Sequence, residues 1–390
     1  MSLPSIQNTK GTAPVYEPKR IVLILGNGFD LDLNLPTRYS DFWGTDFCPK
    51  DYPAPLIKHL NECWGDNIDK VRWYDLENEL LSYFHLINGP QISFDVIDQY
   101  EREFIEKVHP DSYYHTGNVP YEYFSSVNSL REKGYFRQEV RNGMICYVIP
   151  ERDVLLKDYV WRDREAFRLI KKGLCRYISS INLSIDEKNM ATCVLCALSS
   201  IVDTDIVSIY NFNYTKLPYG VEDNPKLSSF HVHGDCTSRN IIIGTGDYPE
   251  FESNKDYDYL QKSFDQNFTP PRLVPDLLEA TDVVFFGHSI GENDRQYFKS
   301  FFKQQTDNVK TNRINITIFT KDDSSELEIK RALQKMTDSN LSILFSQNNV
   351  KIIKTENIKE HPNAFLSFLK YYVPVREIRK PIEDIFNSIP

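Results

Sequence analysis

No stretch of this sequence is apolar for long enough to cross a membrane. The longest apolar runs, such as Ile21–Leu25 and Val283–Phe286, are strand-length, against the roughly 20 residues that a spanning helix needs. Basic charge is also short. Lys and Arg number 45 against 55 Asp and Glu, giving a net charge of −10 and a pI near 5.4. That balance counts against sequence-independent binding of nucleic acid, which requires cations to neutralise phosphates, and leaves room only for a local basic groove. There is no run of like charge to serve as an interaction tail. Cysteine is sparse and odd in number: Cys48, Cys63, Cys146, Cys175, Cys193, Cys196 and Cys236. Their irregular spacing supplies neither a disulfide framework nor a pair of CxxC motifs for zinc. Cys193-Val-Leu-Cys196 lies in an apolar helical run and reads as core. With no signal peptide at the N-terminus, the expectation is a cytoplasmic protein with free thiols, no membrane partner and no bound metal. Internal repeats and low-complexity tracts are absent.

What the chain does have is core-forming material. Its 390 residues are 41% hydrophobic and 13% aromatic, with 23 Tyr and 24 Phe, enough for a globular protein with deeply packed rings. Residues 1–18 read as a flexible arm. Ile21–Leu25 is a short, β-branched, wholly apolar run, the pattern of a parallel strand buried on both faces, and Gly26-Asn27-Gly28 ends it. From 45 to 200 the apolar residues take helical spacing: Leu76, Leu80, Leu81 and Phe84; Phe104, Ile105 and Val108; Phe167, Ile170, Leu174 and Ile178. Residues 109–150 read as loop with short strands. Strand signals return at Asp205–Asn211, Phe230–His233, Ile241–Gly244, Val283–Phe286, Ile314–Phe319 and Val350–Ile353. A helix with Ile329, Leu333 and Met336 on one face follows Ser325-x-x-Glu328, which has the form of a capping box. Strands alternating with helices imply parallel βα units. The expected fold is therefore α/β: a Rossmann-like parallel sheet with helices on both faces, built from 19–44 and 201–375. A mostly helical insertion occupies 45–200, and 376–390 form a tail.

Four segments carry candidate chemistry. A buried strand followed by Gly26-Asn27-Gly28 presents backbone N–H groups at a helix N-terminus, a phosphate-binding geometry or an ordinary tight turn. A full dinucleotide fingerprint needs a third glycine where Leu31 stands. Asp30 would repel a pyrophosphate unless it caps the helix or holds a ribose hydroxyl. Asn211 and Asn213 fall at the C-terminal end of a strand, where open α/β sheets bind ligands, although Asn also favours such turns. Alternation puts His231 and His233 on one strand face, and a histidine there is either a general base or a packed, hydrogen-bonded side chain. Gly287-His-Ser289-Ile-Gly291 resembles a G-x-S-x-G nucleophile elbow.

The order of these segments resembles the AbiH family of phage abortive-infection proteins. The resemblance rests on Leu25-Gly-Asn-Gly-Phe-Asp30, Leu35-Pro-Thr-Arg-Tyr-Ser-Asp-Phe42, Trp73-Tyr-Asp-Leu-Glu77, Asn211-Phe-Asn-Tyr-Thr215, His231-Val-His-Gly234 and Gly287-His-Ser-Ile-Gly-Glu-Asn-Asp294. Such chains are in turn distantly similar to the sirtuin-like NAD-binding fold, whose G-A-G-x-S turn, T-x-N-x-D segment, His-Gly and late G-T-S have counterparts at Gly26–Asp30, Asn213, His233-Gly234 and Gly287–Ser289. Two positions depart from it: Asp30 replaces a serine and Thr215 replaces an aspartate.

The resemblance implies a phage-defence protein that binds NAD or a related nucleotide and hydrolyses it to nicotinamide and ADP-ribose. Asn213 and His233 would be catalytic. Gly26, Asn27, Gly28, Phe29, Asp30, Gly287, Ser289 and Asp294 would contact the nucleotide. Glu77 is either a carboxylate reaching in from the insertion or a surface helix charge. Partners would be the nucleotide and either a phage-encoded trigger or a second copy of the chain. A non-catalytic nucleotide sensor and a serine hydrolase centred on Ser289 are the alternatives.

Overall fold

The computed structural model describes residues 18–64, 75–88, 137–141, 144–148, 152–182, 189–199, 205–218, 221, 227–307, 313–356, 358 and 362–372. Residues 1–17, the set Phe104, Ile105 and Val108, and the tail 376–390 lie outside them. β1 (Arg20–Leu25) is followed by α1 (Asn27–Asp32), α2 (Tyr39–Trp43), α3 (Pro55–Trp64) and α4 (Asp75–Asn88). An antiparallel ribbon, β2 (Arg137–Arg141) and β3 (Met144–Val148), precedes the long helix α5 (Arg152–Ser180). Next come α6 (Met190–Ser199), β4 (Ile206–Asn211), β5 (Leu227–His231), three 3-10 turns, α7 (Leu273–Glu279) and β6 (Asp282–Phe286). The chain continues through α8 (Arg295–Gln304), β7 (Asn315–Thr320), α9 (Asp323–Met336), α10 (Leu341–Gln347), β8 (Asn349–Lys354) and α11 (Pro362–Tyr372).

Six strands form one parallel sheet in the order β5-β4-β1-β6-β7-β8. Numbered within that sheet alone, the order is 3-2-1-4-5-6, the doubly wound arrangement, with its topological switch point between β1 and β6. The sequence dictates β1's central place. Ile21, Leu23 and Leu25 face one apolar layer, built with α6 and α11; Val22 and Ile24 face the other, with α7, α8 and α9. A strand apolar on both faces is stable only when covered on both. α6 falls within 45–200 in sequence but packs on the sheet. A third core joins α2, α3, α4 and α5 to the 241–260 segment, and the three sequence-read helical sets that lie in described residues, on α4, α5 and α9, turn their apolar faces inward. No helix among the described residues is long and apolar enough to cross a membrane.

Away from the site, two local expectations differ from the structure. Ile241–Gly244 is not a strand: the sheet ends at β5, and these isoleucines are buried in a loop, where Ile242 N–H donates to the His233 carbonyl at 2.7 Å. The N-cap of α9 is Asp322, not Ser325. Its carboxylate accepts from Ser325 N–H at 2.8 Å and from Ser325 Oγ at 2.9 Å, so the serine is a donor to the cap.

The insertion is fastened by Asp163 of α5. Its carboxylate accepts from Leu56 N–H at 2.8 Å, from Tyr257 at 3.2 Å and from Tyr83. One side chain thus caps α3 and ties down α4 and the 3-10 turns. Asp163→Ala is expected to remove roughly 3–5 kcal/mol of stability, because it strands three buried donors, and Asp163→Asn, which keeps an acceptor, less. Urea denaturation checks both; equal midpoints for Asp163→Ala and wild type would count against the assignment.

Candidate functional site

The site lies at the C-terminal ends of β1, β4, β5 and β6. Gly26 N–H donates to Phe286 O at 3.0 Å, Gly28 N–H to Gly287 O at 2.9 Å and Phe29 N–H to Gly26 O at 2.9 Å. Three donors of the expected phosphate turn therefore already bond backbone carbonyls, and α1 is only six residues long. The glycines serve a close approach instead. A Cβ on Gly28 would meet Gly287 Cα at 2.6 Å, and one on Gly26 would meet His288 Cα at 2.5 Å. Gly287 itself has φ +64°, a conformation open to glycine at little cost. The turn after β1 is thus welded to the turn after β6. Asn27 turns its Oδ1 to Thr37 Oγ1 at 2.7 Å.

Beneath this weld is a buried polar knot. Asp30 accepts from Thr215 Oγ1 at 2.9 and 3.0 Å and from Asn213 Nδ2 at 3.1 Å. Burial pushes its pKa up to about 7, against the lowering effect of those donors. The Asp30 carboxylate and the Thr215 hydroxyl thus face each other as one hydrogen-bonded pair. Asn213 Nδ2 also donates to Gly26 O at 3.0 Å, and its N–H donates to Asn211 Oδ1 at 3.0 Å. Its Oδ1 is buried with no hydrogen-bond partner among the described residues.

β4 and β5 pair with Asn211 opposite His231, so Asn213 and His233 stand two residues beyond the ends of neighbouring strands. β5 stops at His231, and the left-handed turn at Gly234 (φ +72°) follows, so the two histidines do not share a strand face. His233 is buried, and its Nε2 has no hydrogen-bond partner among the described residues and lies 3.5 Å from Asp294 Oδ1. Burial, reinforced by the charge of Lys262, lowers its pKa to about 3 against the pull of Asp294. The imidazole is neutral at physiological pH.

Asp294 is the hub of a charged cluster. Lys262 Nζ lies 3.2 Å from Asp294 Oδ1 and 2.9 Å from Glu77 Oε1, and the lysine side chain is only 1% exposed. His288 Nε2 lies 3.4 Å from Asp294 Oδ2. His288 Nδ1 accepts the Ile290 N–H at 2.9 Å, which leaves the imidazole proton on Nε2, facing the carboxylate. Burial alone would raise the Asp294 pKa, but Lys262 and the two histidines hold it well below the usual carboxylate range. Glu77 goes the other way. Burial pushes it up to about 7, with Asp294 adding to the rise and Lys262 opposing it. Two carboxylates on one ammonium group thus sit in opposed protonation environments, the pattern that divides acid–base roles in active sites.

The structure brings Gly26, Gly28, Phe29, Asp30, Asn213, His233, Gly287 and Asp294 into one contiguous region, with Glu77 reaching it from α4. Ser289 is exposed on the rim. Both nitrogens of the adjacent His288 are engaged elsewhere, so His288 is not its base. Lys262 and His288 are not among the residues the sequence pointed to. His288 lay inside the glycine-serine motif, whereas Lys262 stands among Tyr, Leu, Gln, Ser and Phe with no local mark.

A family model described as bacteriophage abortive infection AbiH matches residues 22–319. No curated protein and no solved structure gives a significant match.

Proposed function

The chain belongs to the bacteriophage abortive infection AbiH family and has its role in phage abortive infection; from that premise we propose that it hydrolyses the N-glycosidic bond of NAD or a closely related nucleotide. One observation carries the reading. Asn213 and His233, at the ends of adjacent strands, each hold a buried polar atom without a partner, and such atoms in a native fold call for a ligand or water. Beside them is a carboxylate kept ionised by Lys262.

The chemistry suits that arrangement. Water attacks the ribose C1′, the C1′–N bond breaks, and its electron pair stays with nicotinamide, which leaves neutral and needs no general acid. Positive charge builds on the ribose in an oxocarbenium-like transition state. Asp294 is the negative group that stabilises it. Asn213 Oδ1 and His233 Nε2 accept hydrogen bonds from the water and orient it. The low pKa of His233 lets it take the proton only once the C1′–O bond has formed and made that water strongly acidic, and the proton then passes on to solvent. The turn at Gly26–Gly28 contributes no phosphate donors through the three N–H groups already bonded, so the pyrophosphate contacts come from other groups.

The test is nicotinamide release from NAD by purified protein. Asp294→Asn and His233→Ala are expected to lower it on the order of 100-fold each. Calorimetric binding of NAD without release would favour the sensor reading. Equal release from His233→Ala would remove the histidine from the reaction.

A further inference from the structure

The chain carries a net charge of −10, yet one groove on its surface is basic. It lies between α5 and the 259–267 segment and encloses about 950 Å³. Among the described residues six cations line it, five of them on α5 and the sixth Arg239, against the carboxylates Glu165 and Asp265. The α5 residues recur in steps of three and four, which places them on one helix face. From Trp161 to Ser179 that row is roughly 27 Å long.

Both carboxylates are already matched within the groove. Glu165 accepts from Arg168 Nε at 2.7 Å, and Asp265 pairs with Lys171. Lys172, Arg176 and Arg239 are exposed, with no ion-pair partner among the described residues. The groove also keeps large rings in water: Trp161 is 62% exposed, Phe264 60% and Phe47 41%. Cations alone would suit any polyanion. Exposed aromatic faces interleaved with them suit one whose units stack, and base–aromatic stacking on a cationic track is how unpaired nucleic-acid strands are held. On a chain of net charge −10, the cations gathered here favour this groove for such binding.

We propose that this groove binds single-stranded nucleic acid, with the phosphates along Lys172 and Arg176 and the bases against Trp161 and Phe264. The inference is independent of the glycosidic reaction: among the described residues Trp161, Lys172 and Arg176 make no ion pair with Glu77, Lys262 or Asp294.

Fluorescence anisotropy with labelled DNA and RNA single strands of about 12 nucleotides tests it at low and moderate salt. Wild type is expected to bind at least one of the two. The double variant Lys172→Glu, Arg176→Glu should weaken binding at least tenfold and flatten the salt dependence, each lost cation reducing the slope of log K on log salt by about 0.7. Trp161→Ala should weaken binding by roughly five- to a hundredfold. Thermal melts of the variants confirm folding. Absence of binding at low salt, indifference to the double variant, or tighter binding of duplex than of single strands would overturn the proposal. Equal binding of heparin, with Trp161→Ala without effect, would also overturn it by showing a general anion surface. Nicotinamide release by the variants, read separately, keeps failure of this inference distinct from failure of the catalytic one.

Discussion

Gly287→Ala is expected to cost on the order of 3–5 kcal/mol of stability, combining a positive-φ penalty with a clash that no rotamer relieves. The added Cβ would lie 2.4 Å from both Gly28 Cα and Gly28 C. All three of its nearest neighbours are backbone, so the ends of β1 and β6 would have to separate, and the hydrogen bond from Gly28 N–H to Gly287 O would weaken with them. Gly28→Ala meets the same surface from the other side and should behave alike. Gly44→Ala is the control. It has αR geometry with φ −69° and its nearest would-be contact is at 3.6 Å, so its midpoint in urea should lie close to wild type. The measurement also separates two reasons for a Gly-x-Gly turn. A turn needed only for phosphate would lose ligand binding and keep its stability; a turn needed for strand packing loses stability first.

The inner strands of the sheet were legible from sequence because they are covered on both faces, and continuous apolar runs such as Ile21–Leu25 and Val283–Phe286 announce that burial without reference to any neighbour. The same signal misled at Ile241–Gly244, where a loop buries Ile241 and Ile243 in the core formed with α2, α3, α4 and α5 rather than forming a strand. Local chemistry does not encode whether a partner strand exists. The site divides likewise. Asn213 and His233 were visible as polar residues just past strand ends, and Asp294 through the family resemblance. The partners that determine their behaviour were not. Thr215 and Asp30 are 185 positions apart, as are Lys262 and Glu77, and each member read alone is an oddity or a surface charge. Asp30 made little sense as a neighbour of phosphate and makes sense as the acceptor for Thr215 and Asn213.

Lys262→Met gives the second large effect, and its sign with pH is the informative part. In the wild type, Asp294 is held below its ordinary pKa mainly by Lys262. Its contribution to stability is therefore full above the ordinary carboxylate pKa near 3.9 and is lost as pH falls toward the depressed folded value. Removing the ammonium group leaves Glu77 and Asp294 buried together without their shared cation. The folded pKa of Asp294 then rises above its unfolded one, and that of Glu77, already raised to about 7, rises further, because burial and mutual repulsion favour the protonated forms. Protons are now held by the folded state and not by the unfolded one, so stability falls as pH rises through and beyond the ordinary carboxylate range. The variant should be destabilised by about 3–5 kcal/mol at pH 8, the usual cost of an uncompensated buried charge, and by markedly less at pH 5. The variant-minus-wild-type difference in unfolding free energy, followed against pH, checks this. A difference that stays flat across that interval would mean that the cluster is solvated and that Lys262 is not what keeps Asp294 ionised. The proposed transition-state stabilisation would then lose its physical basis. A difference that grows with pH, together with loss of nicotinamide release at pH 8, would tie the stability of the cluster and its chemistry to the same ammonium group.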